Sequence, residues 1–64
     1  MTLNFKLKPR VLVADDQIDI LRSAQLLFES EDIDSVTCTT PAEVLYYMQQ
    51  QEFDVVLLDL NYQR

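Results

Sequence analysis

The stretch Phe53-Asp-Val-Val-Leu-Leu-Asp-Leu-Asn61 limits the fold more than any other part of the chain. Val55 to Leu58 are apolar without a break, and Asp59 follows at once. A short apolar run without alternation predicts a strand covered on both faces, as in a parallel sheet flanked by helices. Open α/β sheets meet their ligands beyond the carboxyl ends of the strands, which is where Asp59 would sit. A second run of the same design, Arg10-Val-Leu-Val-Ala14, ends in Asp15 and Asp16. Two buried strands ending in acid are the functional signal.

The segments between them follow a simple order. Residues 1–9 read as a flexible leader closed by Pro9, and Arg10 to Ala14 as a central strand. Asp16 is placed to cap the helix expected from about Gln17 to Glu31, whose apolar face is Ile20, Ala24, Leu27 and Phe28, with Leu21 beside them. Ile33 to Thr39 alternates, with Val36 and Cys38 on one side and Ser35, Thr37 and Thr39 on the other, as an edge strand does. Thr40-Pro41-Ala42-Glu43 is a capping box with proline at the first helical position. That second helix runs to about Gln51 and buries Val44 or Leu45 with Met48. The last strand spans Asp54 to Leu58.

Alternation of this kind, β-α-β-α-β, implies parallel strands joined by right-handed crossovers. With the half-polar strand at the edge the spatial order becomes 2-1-3. The ends of the first and third strands then lie side by side, at a spacing of roughly 4.8 Å. Asp15, Asp16 and Asp59 are expected to share one pocket.

Composition narrows the chemistry. Sixty-four residues allow one domain at most, below the usual size of about 100–150 residues. A single cysteine and no histidine exclude an internal disulfide and the usual zinc sites. Five basic residues against 11 acidic ones, a net charge of -6, argue against direct nucleic-acid contact. No apolar run reaches the roughly 20 residues of a membrane span, and the amino terminus lacks a signal-peptide core. A soluble cytoplasmic protein is the expectation.

Carboxylates gathered this closely repel one another unless a cation sits among them. Oxygen ligands with open positions suit Mg²⁺, which can line up a phosphoryl group with a carboxylate nucleophile. Attack on phosphorus gives an aspartyl phosphate, and Asp59 is the best candidate for the nucleophile. Taken singly, Asp15 or Asp16 reads equally well as a helix cap, and Asp59 as a polar strand end. Together on adjacent strands they point to a metal site.

Val-Leu-Val-Ala-Asp15-Asp16-Gln, then a helix, then Asp-Val-Val-Leu-Leu-Asp59-Leu-Asn, resembles the receiver domain of bacterial two-component response regulators. The resemblance implies a flavodoxin-like doubly wound sheet, of which residues 10–64 would be the amino-terminal half. It implies that Asp59 is the phosphoacceptor, that Asp16 and Asp59 bind Mg²⁺ directly, and that Asp15 acts through water. Asn61 would add its backbone carbonyl. The implied partner is a sensor histidine kinase, and the implied role is a signalling module in a phosphorelay, not a turnover enzyme. The tail Asp59-Leu-Asn-Tyr-Gln-Arg64 resembles receivers attached to nitrogen-regulator-type transcription activators that work with an alternative sigma factor. Receivers also use a Ser or Thr after a fourth strand and a Lys after a fifth, and no residue here fills either role. The expected consequence is weak phosphotransfer and self-association through the third strand's open edge.

Two other functions compete. A haloacid dehalogenase-type phosphatase wants Asp-x-Asp after the first strand, and Gln17 stands where the second acid belongs. A degenerate receiver-like interaction module without phosphotransfer is the alternative. Tyr46 and Tyr47 are expected as one buried and one half-exposed ring. Met48 reads as core filler, Cys38 as a small buried residue, and Lys6, Lys8 and Arg10 as solvated.

Overall fold

A computed structural model describes residues 8–59. The elements are β1 (Arg10–Asp15), α1 (Ile18–Ser30), β2 (Asp34–Cys38), α2 (Pro41–Gln50) and β3 (Val55–Asp59). The strands form one parallel sheet in the order β2-β1-β3, as the alternating pattern predicts. The leader before Lys8 and the tail after Asp59 lie outside the described residues, and so does Asn61.

β1 is the interior of the molecule. Its side chains alternate between two faces, and each face meets one helix. Leu12 and Ala14 pack with Cys38 and with Val44 of α2, backed by Val36, Tyr47, Phe53 and Val56. Val11 and Val13 pack with Leu21 of α1, backed by Ala24, Phe28 and Ile33. The two crossovers thus send one helix to each side of the strand.

Helix α1 begins one residue later than an Asp16 cap requires. Gln17 occupies the capping position with no side-chain hydrogen bond, and Asp15 Oδ1 accepts the Gln17 N–H at 2.9 Å. Asp16, one residue further out, stays exposed. The carboxyl end of α1 is a Schellman turn: Ile33 N–H donates to the Phe28 carbonyl (2.8 Å) and Asp32 N–H to the Glu29 carbonyl (3.1 Å). Phe28 and Ile33 meet in the same cluster and complete the motif. Such a turn needs one left-handed residue, which is most often glycine. The chain has none, and Asp32 takes the position with φ 61°. Lys8 Nζ lies 3.4 Å from its carboxylate.

Helix α2 starts on the expected box. Thr40 Oγ1 accepts the Glu43 N–H at 3.2 Å, and Glu43 Oε1 accepts the Thr40 N–H at 3.1 Å. The same oxygen accepts the Thr39 N–H at 2.9 Å, which ties the end of β2 to the helix.

Several expected core positions lie outside it. The inward face of α1 is Leu21, Ala24 and Phe28, so Ile20 and Leu27 are exposed. On α2 only Val44 is buried; Leu45 and Met48 face outward, and half-buried Tyr47 fills the inner position. Tyr46 is exposed and meets Tyr47 edge to face at 5.4 Å between ring centres. Strand β3 is not covered on both faces, since Val55, Leu57 and Leu58 are 47%, 45% and 61% exposed. One physical reason serves all three. Both helices pack over β1, with α1 reaching β2, and β3 lies beside that stack.

Candidate functional site at the carboxyl edge of the sheet

The β1–β3 ladder pairs Val11 with Val55 and continues residue by residue to Asp15 opposite Asp59. The register therefore brings the ends of the two apolar runs together, as the sequence pattern implied. Asp15 is buried, and its carboxylate turns back to the Gln17 amide. Asp16 and Asp59 are exposed at the same edge. One acid is held by the backbone, and two face solvent.

All three groups are carboxylates, and oxygen donors of this kind suit a hard divalent cation such as Mg²⁺. Among the described residues no set of three His, Cys, Asp or Glu side chains closes to metal-holding distances. The donor chemistry fits the ion in kind, while the described side chains are not gathered into a metal-holding set. An exposed aspartate on a strand end is also free to meet a phosphoryl donor from solvent, which a buried one is not.

Other features lie away from this edge. A cleft of about 290 Å³ runs between α1 and β2, lined by Lys8, Arg22, Gln25, Glu29 and Asp34 among others, and contains none of the three acids. Cys38 is buried beneath α2. Burial, and then the negative charge of Glu43, push its thiol pKa up, which disfavours the reactive thiolate. None of the described helices is long and apolar enough to cross a membrane.

The opposite end of the sheet holds contacts that sequence reasoning missed. Arg10 is not a solvated leader residue. Its backbone N–H donates to Asp54 Oδ2 at 2.7 Å, and its carbonyl accepts the Asp54 N–H at 2.8 Å. Its side-chain Nε donates to Asp34 Oδ2 at 3.2 Å. Lys8 also has a partner, Asp32, while Lys6 lies outside the described residues. The available signal was an acid at the start of each outer strand, Asp34 and Asp54, facing the one base that opens the central strand.

Fold and site together define an α/β domain with aspartates collected at the carboxyl edge of a parallel sheet. The chain belongs to the response regulator receiver domain family, whose description matches residues 11–64. Members of that family are phosphoacceptor modules of two-component phosphorelays, generally not classical enzymes, and they generally bind Mg²⁺ and meet histidine kinases. No curated protein and no solved structure gives a match.

Proposed function

We propose that this chain accepts a phosphoryl group on Asp59 from a phosphohistidine of a sensor histidine kinase. The observation that carries the reading is the pairing of Asp59 with Asp15 across adjacent strands, in a chain of the receiver family. A carboxylate oxygen of Asp59 attacks phosphorus, the phosphorus–nitrogen bond of the donor breaks, and the imidazole leaves with that electron pair. The product is an acyl phosphate on the aspartate.

Asp16 and Asp59 would hold Mg²⁺ directly, Asp15 through water, and Asn61 through its backbone carbonyl. When bound, the ion offsets the charge on the phosphoryl oxygens and aligns them with the nucleophile. Asp15 contributes in a second way: by accepting the Gln17 amide it fixes the β1–α1 turn that carries Asp16. The resemblance of the tail supports an output in bacterial transcription control, in the cytoplasm. Residues 10–64 would supply the first three strands of the receiver, preceded by a leader over residues 1–9.

Acetyl phosphate or beryllofluoride with Mg²⁺, followed by intact mass and peptide mapping, tests the assignment. An adduct on Asp59 that disappears in Asp59→Asn and without Mg²⁺ is the expected result. A degenerate module that only binds partners is the second reading, favoured by the commitment of the Asp15 carboxylate to backbone. No adduct at any position would select it.

Assembly follows from the same surface. Among the described strands β3 pairs only with β1 and leaves Val55, Leu57 and Leu58 exposed, which supports self-association by edge pairing. Sedimentation that stays monomeric at high concentration would remove this part of the proposal.

A further inference from the structure

The edge of the sheet far from the acids carries a device that the phosphoacceptor reading does not use. Arg10 and Asp54 exchange two hydrogen bonds, with the Asp54 carboxylate taking the place of a backbone acceptor for the Arg10 N–H. The pair sits immediately before Val11–Val55, the first pair of the β1–β3 ladder. Arg10 precedes Asp15 by the same number of residues as Asp54 precedes Asp59. Closing the ladder at Arg10 and Asp54 therefore places Asp59 opposite Asp15 at its other end.

Register matters here because the rest of β3 specifies it weakly. Val55, Leu57 and Leu58 are exposed, so only Val56, packed on the Leu12 cluster, distinguishes the strand's two faces by burial. A strand that is apolar on both sides and open on one is prone to slip, and a slip of one residue turns every side chain to the other face. Such a slip would set a leucine against Asp15 and point Asp59 away. On the other side of β1 the register has its own tie, since Asp34 N–H donates to the Pro9 carbonyl and its carboxylate accepts from Arg10 Nε. Arg10 thus joins all three strands at one end.

We propose that Asp54 is a positioning residue. Its carboxylate, clamped on the Arg10 amide, sets the β3 register that brings Asp59 to Asp15. The inference deepens the phosphoacceptor reading and rests on it for its functional consequence, while its structural half stands on the two hydrogen bonds alone.

The test uses the full chain, with Asp54→Ala and Asp54→Asn beside the unaltered protein. Cross-strand NOEs between Ala14–Asp15 and Leu58–Asp59 read the register, and the beryllofluoride adduct with Mg²⁺ reads the site. In Asp54→Ala the NOEs weaken or move by one residue, and the adduct falls about fivefold, the scale of one lost hydrogen bond. Asp54→Asn keeps an oxygen that accepts the Arg10 amide and restores both. A merely structural role would lower the melting temperature of Asp54→Ala without shifting the NOEs, and that result overturns the proposal. If Asp54→Ala does not fold, hydrogen exchange of the Arg10 amide in the unaltered chain decides: slow exchange supports the clamp, and exchange as fast as an open strand end overturns it. A shifted register in a protein that takes no adduct even when unaltered would uphold the clamp and reject the phosphoacceptor reading.

Discussion

β1 and β3 are written in nearly the same residues and occupy opposite surroundings. In β1 the run Val11 to Ala14 is sealed between two helices, with Leu12 at 0% exposure. In β3 the corresponding run has one paired edge, one half-buried side chain at Val56, and three residues turned to solvent. An apolar run encodes a strand and a place in a sheet; the cover over that strand comes from elements that cross it. Here the first crossover leaves β1 and returns beside it, and the second passes over β1 on its way from β2 to β3, so β1 receives both helices.

The sharpest way to break this comparison is to remove the same group from each strand. Leu12→Ala should cost about 2–5 kcal/mol in urea unfolding, because a buried leucine leaves a cavity. Leu57→Ala should change stability by no more than about 0.5 kcal/mol, as at other surface positions. Equal losses would mean that β3 is covered in solution.

A smaller effect tests whether the cover of β1 depends on how its helices start. Thr40→Ala removes the box that begins α2 over Leu12 and Ala14, and should cost about 1 kcal/mol by the same measurement. At the end of the other covering helix, Asp32→Gly relieves the left-handed strain at φ 61° and gives up an exposed contact with Lys8. The first effect outweighs the second, for a net gain of about 0.5 kcal/mol. A loss instead would show that the Lys8 contact holds the turn.

The smallest effect is a matter of pH. The backbone amide of Thr39, foremost among its hydrogen-bond donors, holds the Glu43 carboxyl below its ordinary pKa. A depressed carboxyl contributes stability that is present above its unfolded pKa and lost as pH falls through the lower, folded one. Acid should therefore unprotect the Thr39, Thr40 and Glu43 amides before those of β1. Hydrogen exchange at stepped pH would show it, and simultaneous loss would contradict the division between a sealed strand and its exposed margins.

Much of this architecture is legible in the sequence, and the limits are physical. Strand order followed from the alternation in Ser35 to Cys38 against the unbroken runs on either side, and the capping box gave the start of α2 outright. The pairing of Asp15 with Asp59 followed from that order. Less legible was which apolar residues reach the core. Ile20 and Leu27 fit a helical face as well as Leu21 and Ala24 do, and only the docking angle of α1 separates them. The cap at Asp16 failed because a one-residue shift in helix start is below what local pattern resolves. Arg10 looked like solvated charge because its partners, Asp34 and Asp54, are distant in sequence and become neighbours only once the sheet has formed.

The central strand also precedes both of its neighbours in the chain. Its contact with β3 spans 44 residues, from Arg10 to Asp54. At a synthesis rate of about 5–20 residues per second, several seconds pass before that partner leaves the ribosome. During that interval the most deeply buried segment of the folded molecule is already made and still bare. A nascent chain of this order depends on early docking of the first helix, or on a chaperone, to keep Val11 to Ala14 from adhering to other chains.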